Sequence, residues 1–395
     1  MKHIRFNYIL PVIIIGCSIS ISASGEKDKT SQLKSGNSQT TVSYGGYIKV
    51  DFMLSDYSDG SLSAGSAGRD FYIPSTIPVG GEGGDAEFDA HAKESRFFLK
   101  TKTKLGNGDT VSTYIEMDFL VSPGGNERMT NSYNPRVRHA FIKWRSLLAG
   151  QTWTTFFNPY TVADCLDFIG PAESPTLARQ TMIRYANRGW MFALENPETT
   201  LTPYGGGGRI VTDDGQFPDF ILRKDIKTKR SVVTIAGLAR QLKYDDGNMI
   251  DDSTCSYGLS LSGKVMFGKD DLRFSLSSGS GLGRYLGLNL SNGAVISADN
   301  KLEAIDLTGA FISYRHFWNS QWYSSLTYSL TTVDNDTDLT GLGVTSESSS
   351  IHINLLYTPV PKLLVGAEFF TATRKTESGD DGDLNRLQFS MKYVF

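Results

Sequence analysis

Arg96, Lys100, Lys102 and Lys104 share one parity of a single extended stretch; Arg136 and Arg138 repeat the spacing on another, and Arg184 follows further along. Side chains two apart in a strand lie on one face, so these cations form charged ladders. The guanidinium fork can bind both oxygens of a carboxylate. A ladder of such charges in a partly desolvated passage attracts anions. Asp164, Asp167 and Glu173 lie in residues 153–179, which also hold Phe156, Phe157, Pro159, Pro171 and Pro175 and show no strand periodicity. So long an irregular stretch is expected to be functional. With acids on one side of a water-filled narrowing and bases opposite, water is ordered and a transverse field is set up.

Other chemistry is poorly served. His91, His139, His316 and His352 are scattered without metal-ligand spacing, so neither a metal nor another cofactor is expected. Ser, His and Asp occur, but no nucleophile elbow does. Residues 279–284 read Gly-Ser-Gly-Leu-Gly-Arg, yet no helix pattern follows to make a phosphate cradle. A net charge of -3 argues against a nucleic-acid partner. The competing reading, a barrel enzyme of lipase or protease type, needs a Ser/His or Asp/His pair at the outer rim.

The elements that position these residues are strands. Leu387, Phe389, Met391, Tyr393 and Phe395 share one parity of the last stretch, and Gln388, Ser390 and Lys392 the other. Tyr44, Ile48, Val50 and Phe52 alternate with Ser43, Lys49 and Asp51 in the first. About 16 such stretches are legible, an even number within the range of outer-membrane barrels. Their connections alternate. Gly106 to Asp109, Arg145–Ser146, and residues 227–229, 268–270, 318–320 and 359–361 are short; residues 55–94, 122–135, 153–179, 197–216, 245–253, 280–300 and 334–347 are long. Short periplasmic turns and long external loops follow from insertion from one side. The expected fold is all-β: a 16-stranded antiparallel transmembrane β-barrel with its third long loop folded inward. Lipid cannot satisfy a bare strand edge, so the first strand must pair with the last.

Residues 1–24 read as a signal peptide, with Lys2 and Arg5 before an apolar core and small residues at Ser22, Ala23 and Ser24. Ile14-Ile15-Gly16-Cys17 resembles a lipoprotein box, but a spanning barrel needs no lipid anchor. Residues 25–41 are expected to be a short polar periplasmic leader and residues 42–395 the barrel. Cys165 and Cys255 are expected to be unbridged and buried. Trp153, Trp190, Trp318 and Trp322, with Tyr328, Tyr357 and Tyr393, are expected in interfacial belts.

The chain also resembles the DcaP-like family of trimeric outer-membrane porins. The residues that carry this are Gly150-Gln-Thr-Trp-Thr-Thr-Phe156, Ile183-Arg-Tyr185, Glu195-Asn-Pro-Glu198, Pro218-Asp-Phe220, Gly281-Leu-Gly-Arg-Tyr-Leu286, Tyr314-Arg-His-Phe-Trp318 and the terminal Phe395. The resemblance implies a homotrimer in the lipid of a Gram-negative outer membrane, passing small, often negatively charged solutes such as dicarboxylates. It implies a role for Phe395 as the aromatic that barrel-assembly machinery reads. Members commonly carry an N-terminal coiled coil; residues 25–41 are too short and lack heptads, so that part is not carried over. The expected function is passive diffusion of small anionic solutes, with Arg96, Lys100, Arg136, Arg138 and Arg184 lining the passage opposite Asp164, Asp167 and Glu173.

Overall fold

The structure is a computed structural model that describes residues 30–35, 38–121, 125–126 and 130–395. The signal-peptide reading, with Cys17, falls outside the described residues. Sixteen strands form the wall: β1 (Ser38–Tyr57), β2 (Arg96–Lys104), β3 (Thr110–Asp118), β4 (Arg136–Trp144), β5 (Leu147–Trp153), β6 (Arg179–Asn187), β7 (Trp190–Glu195) and β8 (Asp219–Lys227). The second half is β9 (Ser231–Asp245), β10 (Asp251–Phe267), β11 (Asp270–Ser280), β12 (Asp306–Phe317), β13 (Trp322–Asp334), β14 (Thr345–Tyr357), β15 (Leu363–Thr376) and β16 (Asp381–Val394). Each pairs antiparallel with the next in chain order. Among the described residues no helix is long and apolar enough to cross a membrane, so strands alone make the crossing.

Closure rests on β1. Its first half pairs with β2, from Gln39 against Lys104 to Tyr47 against Arg96. Its second half pairs with β16, from Tyr47 against Val394 to Tyr57 against Leu384. Two short strands, Thr30–Ser35 and Glu87–His91, add to the edges that this stagger leaves open on β1. The sheet therefore counts 18 strands while the wall counts 16. β1 begins at Ser38, so the expected start at residue 42 is late. The polar Thr40 and Thr41 lack the apolar alternation that marks a strand, yet they lie in the ladder opposite Thr103 and Lys102. Within the expected leader, Thr30–Ser35 folds back on β1 as a short strand.

The pleat sorts side chains as the alternation implies. Along β16, Leu387, Phe389, Met391 and Tyr393 face outward and exposed, while Arg386, Gln388, Ser390 and Lys392 are buried in the bore. The inward positions of β10 to β14 are largely Ser and Thr, among them Ser262, Ser277, Ser313, Thr327, Ser329 and Ser350. Such small side chains leave room inside, and loops fill it. Trp190, Trp318, Tyr357 and Tyr393 sit beside the short turns, with Trp322 stacked on Tyr357 at 4.2 Å, as an interfacial belt requires. Trp153 departs from that expectation. Its strand ends there, and its ring packs on Phe157 and His139 inside the bore. Cys255 is exposed, contrary to expectation, and among the described residues neither it nor Cys165 is in a disulfide.

Inward and outward positions fall out of strict alternation within β4, and the cause is local. Val137 pairs with Met117 and His139 with Glu116, so Arg138 is an extra residue, a β-bulge. Arg138 and His139 are consequently both buried, and Phe141 and Lys143 line a cavity in the bore while Ile142 and Trp144 are exposed.

The tightest backbone approach is at Gly46, whose φ is 156° and where a Cβ would lie 2.0 Å from the Arg96 carbonyl oxygen. Gly46→Ala should cost about 1–3 kcal/mol through that clash and the strained backbone. The expected outcome is a lower temperature for loss of compact, heat-modifiable migration; unchanged migration counts against this register.

Candidate functional site

The bore is built from the inward faces of the strands and from three loops that enter it. Residues 154–178 cross to the far wall. On this loop the Asp164 carboxylate pairs with Arg273 of β11 at 3.1 Å and with Arg315 of β12. Its backbone carbonyl accepts from Asn354 Nδ2 of β14 at 2.7 Å. The Leu166 N–H donates to Glu368 of β15 at 2.6 Å, and the Leu166 carbonyl accepts from Lys49 at 2.6 Å and Gln388 at 3.1 Å. Asp167 lies 3.9 Å from Arg386 and accepts from the Tyr72 N–H at 2.8 Å. Glu173 accepts from the Tyr72 hydroxyl at 2.6 Å and from Ser350 at 2.9 Å.

Tyr72 belongs to the second entering loop, residues 58–95. The third, residues 281–305, brings Leu282, Tyr285, Leu286 and Val295 against Phe156 and the wall residues Ala193, Ile221 and Leu307. Tyr285 donates to Asp219 at 2.7 Å. Apolar packing and charge pairing therefore hold these loops together in the bore.

The acids of residues 153–179 do not line an open passage. Asp164, Asp167 and Glu173 are all buried, and each is tied to the wall or to a neighbouring loop. Burial alone would leave each carboxyl reluctant to ionise. For Asp167 and Glu173, which lie on the loop outside the spanning strands, burial pushes the pKa above the usual range. For Asp164 burial acts the same way, but Arg273 and Arg315 outweigh it and hold the carboxyl below that range. The acids anchor the loop instead of forming one side of a charged gap.

The expected basic residues divide in two. Arg138 is buried and pairs with Glu116 at 2.9 Å and Asp118 at 2.7 Å. Arg136 grips Asp118 with two hydrogen bonds of 2.9 Å. Arg96 lies 3.6 Å from Glu116 and stacks over Tyr47. Among the described residues, Lys100 and Arg184 have no acid within ion-pair distance. Arg184 reaches the Trp153 carbonyl and the Thr155 hydroxyl, both at 3.5 Å. Lys102 and Lys104 are exposed beyond them toward the short-turn end.

Several residues of the site are not evident in the sequence. Arg179 lies with its guanidinium 4.6 Å from the Trp153 ring centre, and Lys143 lines a cavity of about 230 Å³ with Arg184, Arg223 and Lys227. Arg273, Arg315 and Arg386 clamp the loop from strands where they read as isolated charges. The available signal was parity: each occupies an inward position of a strand whose other face is apolar. The fold also gathers Cys165, His352 and Glu368, which are far apart or unremarked in sequence.

A closed bore of this kind, its wall sixteen strands, its loops docked inside, is the frame in which relatives can be compared. The family model described as DcaP outer membrane protein matches residues 16–395. The chain belongs to that family. Among solved structures, the outer membrane channel DcaP of Acinetobacter baumannii is similar over 90% of this chain and 97% of its own, at 20% identity and a TM-score of 0.76. An anion-selective porin from Comamonas acidovorans covers 90% of this chain and 100% of its own at 11% identity, TM-score 0.54. A trimer form of in-vitro folded OmpT of Vibrio cholerae covers 90% and 99% at 11% identity, TM-score 0.52. No curated protein matches the chain. As a DcaP outer membrane protein, it is a multi-pass β-barrel of the outer membrane.

Asp164 is the anchor with the most charge riding on it. Asp164→Asn should loosen the loop by about 2–4 kcal/mol, because Arg273 and Arg315 lose a buried partner. Expected readouts are faster proteolysis within residues 153–179 and larger current fluctuations in a planar bilayer. A loop as resistant as in the unmodified barrel counts against the clamp.

Proposed function

We propose that this barrel is a passive diffusion channel for small hydrophilic solutes that modestly favours anions, dicarboxylates included. The observation that carries this is the imbalance of charge in the bore: the loop acids are occupied by Arg273, Arg315 and Tyr72, whereas Lys100, Lys143, Arg179 and Arg184 have no ion pair among the described residues. Unpaired cations beside a water-filled space attract anions and repel cations. Arg184 with Lys143 also offers a fork and a point charge to a solute bearing two carboxylates. Membership in a family of outer membrane proteins, with a channel as structural neighbour, supports transport over catalysis.

The wall supports a homotrimer. β5 has 7 residues and β7 has 6, short of the ~9–11 needed to cross the hydrocarbon. A wall that lipid cannot match is best covered by a neighbouring subunit. Phe395 fits a role in assembly: its ring is exposed beside Phe97, with centres 5.9 Å apart, at the end of the closing strand.

Reversal potentials under a salt gradient test the selectivity. Reversing one charge about 8 Å from a passing ion changes its energy by about 1 kcal/mol at the dielectric constant of water, roughly fivefold in occupancy. Arg184→Glu should therefore move the reversal potential clearly toward cations. Cation preference in the unmodified channel, or no conductance, sinks the proposal. Deleting Phe395 should lower the yield of assembled barrel in cells, and normal yield of heat-modifiable protein argues against its assembly role.

A further inference from the structure

We propose that Cys165, His352 and Glu368 form a binding site for a thiophilic divalent cation of the zinc class, tying the inward loop to the barrel wall. The three side chains come from three places: Cys165 from the loop, His352 from β14 and Glu368 from β15. One donor atom from each lies within 4.8 Å of the others. A tetrahedral zinc ion with bonds of about 2.0–2.3 Å sets its donors about 3.5 Å apart, so closure of about 1 Å completes the set. Thiolate, imidazole and carboxylate are a donor set that zinc accepts and that magnesium and calcium do not.

Two of the donors already stand at ligand spacing. His352 Nδ1 lies 3.2 Å from Glu368 Oε1, close to the separation of two donors on one tetrahedral ion. The ring is fixed by stacking on Phe370 at 4.5 Å and by the Tyr72 ring at 6.1 Å. An ion seated between Nδ1 and Oε1 therefore takes both as ligands with little movement of either side chain. Glu368 is itself held in place by the Leu166 N–H and by Asn354.

A glycine makes room for the thiol. Gly170, at φ 71°, faces Cys165 so closely that a Cβ there would meet Sγ at 2.9 Å. Cys165 also borders a cavity of about 20 Å³ with Lys49, Asp164 and Lys392. Binding releases the thiol proton, so affinity rises with pH. The bound cation joins Cys165 to two wall strands and reinforces the clamp made by Asp164. This site rests on the fold and is independent of which solute the bore passes.

The test uses the protein folded in detergent, with Co2+ as a spectroscopic probe and Zn2+ titrated against a chromophoric chelator. The expected result is one ion per chain and a thiolate-to-cobalt charge-transfer band. Cys165→Ser should abolish the band and weaken Zn2+ binding by about 100-fold or more, since losing even an outer-shell partner costs 10–100-fold. His352→Gln should weaken binding similarly, and Cys255→Ser should change neither. Folding of each variant is checked by heat-modifiable migration. No stoichiometric ion, no thiolate band in the unmodified protein, or a band that survives Cys165→Ser overturns the site. The unmodified spectrum decides even where a variant fails to fold.

Discussion

No backbone group facing lipid can be left without a hydrogen bond, and that constraint shapes the whole molecule. It forces the sheet to close, and closure falls to one strand. β1 gives its first half to β2 and its second half to β16, a stagger that tilts the wall. The ends of β1 that project past its neighbours are taken up by Thr30–Ser35 and Glu87–His91. Once the ladder is closed, parity decides the rest. Odd positions of β16 meet the membrane and even positions meet the bore.

A bore of this width cannot be filled by wall side chains alone. Here small Ser and Thr residues line much of it, and three loops enter. Their backbones carry polar groups into a confined space, where each must find a partner. That demand explains why the loop at Leu166 and Asp167 is met by Glu368, Lys49, Gln388 and Arg386 from three different strands. It also explains the fate of the loop acids. A buried carboxylate is stable when paired, so Asp164 spends its charge on Arg273 and Arg315. The cations left over lie on β2, β4 and β6, where no acid of the described loop residues pairs with them.

The same logic accounts for what relatives keep. At 20% identity to the DcaP channel of Acinetobacter baumannii the barrel superposes over almost the whole chain. Hydrogen-bond ladders and parity depend on the backbone and on the apolar or polar class of each side chain. Charge placement in the bore depends on individual residues, so selectivity can differ between barrels of the same shape.

Strand number, closure, the sorting of loops and the outward face of β16 were legible in the sequence. Each depends on local alternation and on the order of turns. The inward loop was legible as well, because residues 153–179 are too long and too irregular to be a turn. What Asp164, Asp167 and Glu173 do was not. Their partners Arg273, Arg315, Tyr72 and Ser350 lie far along the chain, and a single sequence carries no signal for who meets whom across a bore. The bulge at Arg138 shows the same limit on a smaller scale: one inserted residue re-aims His139, Phe141 and Lys143, and only the pairing with Glu116 and Met117 reveals where it sits. The sequence by itself determined a closed membrane barrel, since alternation is a property of neighbours in the chain. Only the tertiary structure decided which charges remain unpaired and that Cys165, His352 and Glu368 stand together, since those are properties of neighbours in space.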